Sequence, residues 1–155
     1  MTAVTDIYNY LQIDGRLATS GQPSVEELGA VAQAGFEVVI NLALHDDPRY
    51  SLPDETGTVS GLGLIYVHIP VKFDRPTADD LRSFFDAMER HRGRRVLVHC
   101  AANKRVTSFL GLYRVLRLGW ERERAFAPMR EIWEPNPVWT AFIEAMLSST
   151  PRAPS

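Results

Sequence analysis

Apolar and polar positions change period several times along this chain, and the changes mark its elements. "YNYLQIDGRLATSGQP" (8–23) reads as two short strands broken at Asp14-Gly15, a tight-hairpin signal. Ser24 and Glu27 form an S-x-x-E capping box, and Val25, Leu28, Val31 and Ala32 continue it as a helical stripe that Gly35 stops. "EVVINLAL" (37–44) is β-branched and apolar on both faces, the pattern of a fully buried strand. From His45 to Gly63 turn signals dominate, and a short helix from Pro53 is the one element the pattern allows there. "LIYVHIPV" (64–71) is the next strand. A helix capped by Thr77 and Asp80 follows and stops at Gly93.

"RRVLVHC" (94–100) is a third apolar strand, followed by a helix to Leu118 with Gly119 as its stop. The remainder to about Leu147 is helical in pattern, split by Pro128 and by "EPNP" ahead of a helix led by Val138 and Trp139. Apolar strands alternating with helices predict an α/β fold, a central mostly parallel sheet with helices on both faces. The expected organisation is one domain over residues 1–148 with a frayed tail at 149–155.

Composition agrees with one compact core: 155 residues, 45% hydrophobic and 23% charged. The net charge of −2 argues against nucleic acid as a partner. The charge is uneven, with two basic and nine acidic residues in 1–70 against fifteen basic and ten acidic in 71–155. One cysteine forms no internal disulfide, which suits a reducing, cytoplasmic setting. The opening residues do not read as a signal peptide, and no apolar run has the length of a membrane span. No histidine pair has zinc spacing, so neither a metal nor another cofactor is expected.

The candidate chemistry lies in "VLVHCAANKRVTSF" (96–109), where Cys100 ends a strand and Lys104 and Arg105 open a helix. A strand-to-helix turn directs several backbone N–H groups into one hollow, and the helix dipole adds positive charge there. Arg105 can close the hollow with a guanidinium fork suited to a tetrahedral oxyanion. Such a field favours a thiolate at Cys100, the form that attacks a phosphoryl group. Asn103 tolerates the positive φ such a turn requires. Thr107, one helical turn on, is placed to hydrogen-bond the sulfur. Lys104 is either a ligand contact or a solvated cation.

"VHC…R" at a strand end resembles the signature loop of the protein tyrosine and dual-specificity phosphatases. Residues 16–42 ("RLATSGQPSVEELGAVAQAGFEVVINL"), "GLIYVHIPV" and "EPNPVWTAFI" are similar to further segments of that family, most of all to small bacterial dual-specificity-phosphatase-like domains, some fused to enzymes of sulfide metabolism. The resemblance implies a dual-specificity-phosphatase-like fold, Cys100 as nucleophile, and Arg105 with the amides of Ala101, Ala102, Asn103 and Lys104 as a phosphate cradle. It also implies His99 as a tuner of the thiolate, and a phosphorylated protein or small phosphoester as partner.

The spacing departs from the family pattern, with four residues between cysteine and arginine in place of five. Either the loop is one residue short and Arg105 is the clamp, or Val106 fills the arginine position. The short loop raises two rivals: a rhodanese-like sulfurtransferase using a Cys100 persulfide, and a phosphate-binding module without turnover. For the general acid, Asp74 in "VKFDRPT" is either a proton donor to the leaving group or the start of the turn before Thr77; Asp54 and Glu55 are outlying candidates. His68 reads as a satisfied strand-end histidine, His45 and His91 as loop or helix-end residues. Trp120, Trp133 and Trp139 read as packing anchors.

Overall fold

A computed structural model describes residues 2–46 and 51–149. A 3-10 turn at Val4–Asp6 precedes the hairpin, whose strands are β1 (Leu11–Gln12) and β2 (Leu17–Ser20). The chain then alternates: α1 (Val25–Gln33), β3 (Val38–Asn41), α2 (Glu55–Gly61), β4 (Ile65–His68), α3 (Ala78–Arg90) and β5 (Val96–His99). Four helices close it: α4 (Lys104–Leu116), α5 (Arg122–Ala125), α6 (Ala127–Ile132) and α7 (Pro137–Ser149). The sheet order is β1-β2-β5-β3-β4, parallel except for the β1/β2 hairpin. This is the α/β architecture the alternation predicts.

The local signals form as read. Glu27 N–H donates to Ser24 Oγ at 3.1 Å while Ser24 N–H donates to Glu27 Oε1 at 2.9 Å. Thr77 and Asp80 make the same reciprocal pair at 3.0 and 3.2 Å. Gly35, Gly93 and Gly119 take positive φ at the helix ends. Pro128 sits in the first turn of α6, where its missing N–H costs nothing. Asn136 of "EPNP" caps α7 by accepting from the Trp139 amide at 2.9 Å. That helix runs through Ser149, one residue into the expected tail; residues 150–155 lie outside the described residues.

Strand periodicity sorts the core into two layers. Val38, Ile40, Val96 and Val98 face α3, α4 and α7, where they pack with Phe84, Phe109 and Trp139. Val39 and Leu97 face the other way, onto Leu28 and Val31 of α1 and Val59 of α2. β5 is the central strand of the five, flanked by β2 and β3, and all four of its residues are buried. Cys100 therefore emerges at the middle of the sheet's carboxyl edge, where α/β sheets bind ligands.

One contact fixes α4 against the C-terminal helices. Gly111 lies under Phe126, and a Cβ there would come within 2.2–2.7 Å of the ring. In an exposed helix Gly→Ala stabilises by roughly 1 kcal/mol. Here Gly111→Ala is expected to destabilise by about 1–3 kcal/mol, because the ring is walled in by the core. The check is the thermal midpoint by circular dichroism, expected to fall.

Candidate active site

Between His99 and Lys104 the chain turns from β5 into α4 through a segment stitched to the β2–α1 connection. Cys100 N–H donates to the Ser20 carbonyl, Gln22 N–H to the Ala101 carbonyl at 3.0 Å, and Asn9 Nδ2 to the Ala102 carbonyl at 3.0 Å. Asn103 adopts φ 66°, the positive region the turn demands, and its Nδ2 donates to the Asn9 carbonyl and to Thr19 Oγ1. With the carbonyls of Ala101 and Ala102 drawn outward, the planar peptides turn the next N–H groups the opposite way. Among the described residues, the N–H groups of Ala101, Ala102, Lys104, Arg105 and Val106 have no backbone acceptor, while Asn103 belongs to the antiparallel bridge between Gly21 and Ala102.

The loop borders a cavity of about 680 Å³. Cys100, Ala101, Ala102, Lys104 and Arg105 form one side, and Tyr8, Gln22 and Phe73 the other. Arg105, not Val106, shares the cavity with Cys100: Val106 is fully buried in the core. Arg105 is held by a 2.8 Å bond to the Val71 carbonyl and lies 5.8 Å from the Phe73 ring centroid. Trp139 Nε1 donates to the Phe73 carbonyl at 2.7 Å, so the loop after β4 is fastened at two points beside the cavity. Lys104 lines the same cavity with its ammonium 5.5 Å from the Trp133 ring centroid. A larger space of about 850 Å³ among α5, α6 and α7 contains no cysteine or histidine.

The other expected residues are placed differently. Asp74 is exposed in the turn after β4 and does not line the cavity, although its neighbour Phe73 does. The Thr107 hydroxyl donates within its own helix, to the Asn103 carbonyl at 2.8 Å, so it does not point its proton at the sulfur. His99 lies fully buried beneath the loop, its Nδ1 3.4 Å from the Cys100 carbonyl oxygen and its Nε2 2.8 Å from Glu55 Oε2. Trp139 is the packing anchor the pattern suggests, but Trp120 carries Arg114 and Arg124 against its ring at 4.2 and 4.4 Å.

Glu55 is the main residue that the sequence leaves at the margin. It is 1% exposed and receives Gln22 Nε2 on Oε1 at 2.6 Å, and the Tyr66 side chain also acts on it. Burial pushes the Glu55 carboxyl up, but His99, Gln22 and Tyr66 outweigh that and hold it below the ordinary carboxylate value. Gln22 thereby connects this pair to the cavity, and its Oε1 is buried without a partner. The nearest sequence signal for Gln22 and Tyr8 is position: Gln22 follows β2 at the same sheet edge as Cys100, and Tyr8 precedes β1.

Similarity to known proteins is extensive. Residues 5–131 match the sequence profile of a family described as DSP-PTPase phosphatase fused to NAD+ kinase. A DUF442 protein of Shewanella putrefaciens CN-32 is 33% identical, with a TM-score of 0.83 over 95% of this chain and 96% of that one. Tk-PTP in its active form is 26% identical, with a TM-score of 0.72 over 92% and 95% of the two chains. A beta-lactamase hydrolase-like protein of Xylella fastidiosa (strain Temecula1) is 32% identical over 108 residues. The match takes in 68% of this chain but only 25% of that protein's length.

Removing the Glu55 carboxylate leaves His99 buried without its partner. Glu55→Ala is expected to cost about 3–5 kcal/mol, read from urea unfolding, with Glu55→Gln recovering part of the loss. The pH dependence follows from the depressed carboxyl. Its stabilisation is complete above the unfolded-state value near 4.5 and is lost as pH falls through the lower folded-state value. Unfolding midpoints between pH 3 and 6 should therefore drop at the acid end in the parent and flatten in Glu55→Gln.

Proposed function

Since the chain belongs to the DSP-PTPase phosphatase family, we propose that it hydrolyses phosphate monoesters through a phosphocysteine at Cys100. The observation that carries this reading is the turn itself: a loop with amides free of backbone acceptors borders one cavity with Arg105 and Cys100. Amides and a guanidinium fork match the equatorial oxygens of a transferring phosphoryl group. The Cys100 thiolate attacks phosphorus, the P–O ester bond breaks, and the leaving oxygen takes a proton. Water then attacks the phosphocysteine, the P–S bond breaks, and phosphate departs from a regenerated thiolate.

Asp74 is the proton donor in this scheme. It is the carboxylate next in sequence to Phe73, which lines the cavity. Gln22 positions the loop: its side chain donates to Glu55 and its main-chain N–H to the Ala101 carbonyl. Tyr8 and Phe73, two exposed aromatic side chains on that wall, favour an aryl phosphate such as phosphotyrosine.

Cys100→Ser is expected to abolish hydrolysis of p-nitrophenyl phosphate and its inhibition by orthovanadate; an active Cys100→Ser protein would remove the mechanism. Arg105→Ala should lower kcat/KM by about 10²–10³-fold, the usual effect of losing an oxyanion donor. Thiosulfate-to-cyanide transfer should be absent; turnover there, with a gain of one sulfur on Cys100, would favour the persulfide chemistry instead. Asp74→Asn should slow alkyl phosphates by about 10²–10⁴-fold yet spare p-nitrophenyl phosphate, whose leaving group needs no proton. Equal slowing of both would take Asp74 out of the acid role.

A further inference from the structure

The end of the sheet opposite Cys100 holds a second cavity, of about 550 Å³, that this reaction does not use. It opens at the starts of β2 and β5, where Leu17 and Val96 line it. Four residues of β5 separate it from the Cys100 site, roughly 13 Å. Its walls carry Arg16, Arg92, Arg94 and Arg114, with His91 among them. One carboxylate faces the same space: Asp14, whose Oδ1 accepts from the amides of Arg16 and Leu17 at 2.7 and 2.9 Å. Positive charge is therefore in clear excess at this end of a chain whose net charge is −2.

Two of these side chains are mostly buried and, among the described residues, are not paired with a carboxylate. Arg114 is 8% exposed, yet among the described residues it forms no ion pair with a carboxylate. Stacking on Trp120 offsets part of its desolvation, and its N–H donors, free of protein acceptors, still reach solvent. Asp14 acts on it only through space. His91 is also 8% exposed, and its Nδ1 has no hydrogen-bond partner. Burial, with Arg94 and Arg90 adding to it, holds the His91 ring below the ordinary imidazole value. A ring that is neutral at pH 7 can still present one N–H to an oxygen.

We propose that this cavity is a second ligand site, taking a small phosphate-bearing molecule with at least two negative charges. Guanidinium forks fit phosphate oxygens in pairs, and a single phosphate monoanion would leave most of the positive charge here uncompensated. Met88, Leu110 and the half-exposed Leu118 line the remaining wall, leaving apolar room beside the charged one. The shared chemistry is a diphosphate, inorganic or carried on an organic body. The site stands on the four arginines gathered in one cavity with a single carboxylate, and is independent of the chemistry at Cys100.

The test is an NMR titration of the full chain with pyrophosphate and, in parallel, with ADP. The His91 ring and Trp120 indole signals report this cavity, and the amides of residues 101–105 report the other. Saturable shifts of His91 and Trp120 are expected with both probes. They should weaken about tenfold or more in Arg16→Ala/Arg94→Ala, whose side chains are exposed and whose loss leaves the core intact. Arg114→Gln should abolish them. Tighter binding of ADP with added shifts of the Met88 and Leu118 methyls would identify an organic diphosphate; equal binding would identify an inorganic one. Shifts confined to residues 101–105, shifts unchanged in the double variant, or no shifts would each overturn the proposal.

Discussion

Between His99 and Lys104 the chain must leave a fully buried strand and enter an almost fully buried helix within four residues. No ordinary loop fits that constraint, because a buried loop strands its backbone groups. Here the conflict is divided by direction. The carbonyls of Ala101 and Ala102 are tied to Gln22 and Asn9, and Asn103 bends the chain at positive φ to start the helix. The amides that follow are left for an anion. The unsatisfied donors are thus the consequence of a central strand running straight into a central helix, and Cys100 stands at the point where they converge.

A second layer keeps that turn in place. Glu55 reaches His99 from α2 across the sheet edge and also takes Gln22, whose backbone holds Ala101. A charged group this deeply buried is stable only when hydrogen-bonded on both oxygens, and Glu55 is. The loop is therefore fastened twice from the same residue: Gln22 binds it by its main chain and binds Glu55 by its side chain. Arg105 fastens the opposite side through Val71. Protein–protein bonds thus hold the donor array in place, the kind of preorganisation that electrostatic stabilisation of an anion requires.

How much of this was legible in the sequence differs by residue. The capping boxes at Ser24 and Thr77 and the stops at Gly35 and Gly93 are local, so local patterns found them. The choice between Arg105 and Val106 could not be made from spacing. It is decided by tertiary packing, which buries Val106 among aromatic side chains and leaves Arg105 at the cavity. Glu55 was legible only as one carboxylate in a turn-rich segment. Its helix begins at Asp54 in the left-handed region, a start that propensity does not anticipate, and its partner lies 44 residues away. Thr107 sits where the pattern wants a hydroxyl, but a helix offers that hydroxyl a nearer acceptor than the sulfur.

The uneven charge takes on a sharper meaning in three dimensions. An excess of cations in the second half of the chain suggests an anion at Cys100, yet only Lys104 and Arg105 border that site. Two cations suffice there because the loop amides and the amino end of α4 supply the rest of the field. At the far end of the same strand and helix the arginines gather with no such backbone array. Arg114 and His91 are both 8% exposed there, more deeply set than the other cations of the cavity. In such partly desolvated surroundings an anion held by both would interact more strongly than in open water. Asp14 is the one carboxylate on that cavity, and it is already held by its hairpin amides. The two ends of β5 thus present positive charge in different ways, beside backbone donors at Cys100 and as clustered arginine side chains at the far end.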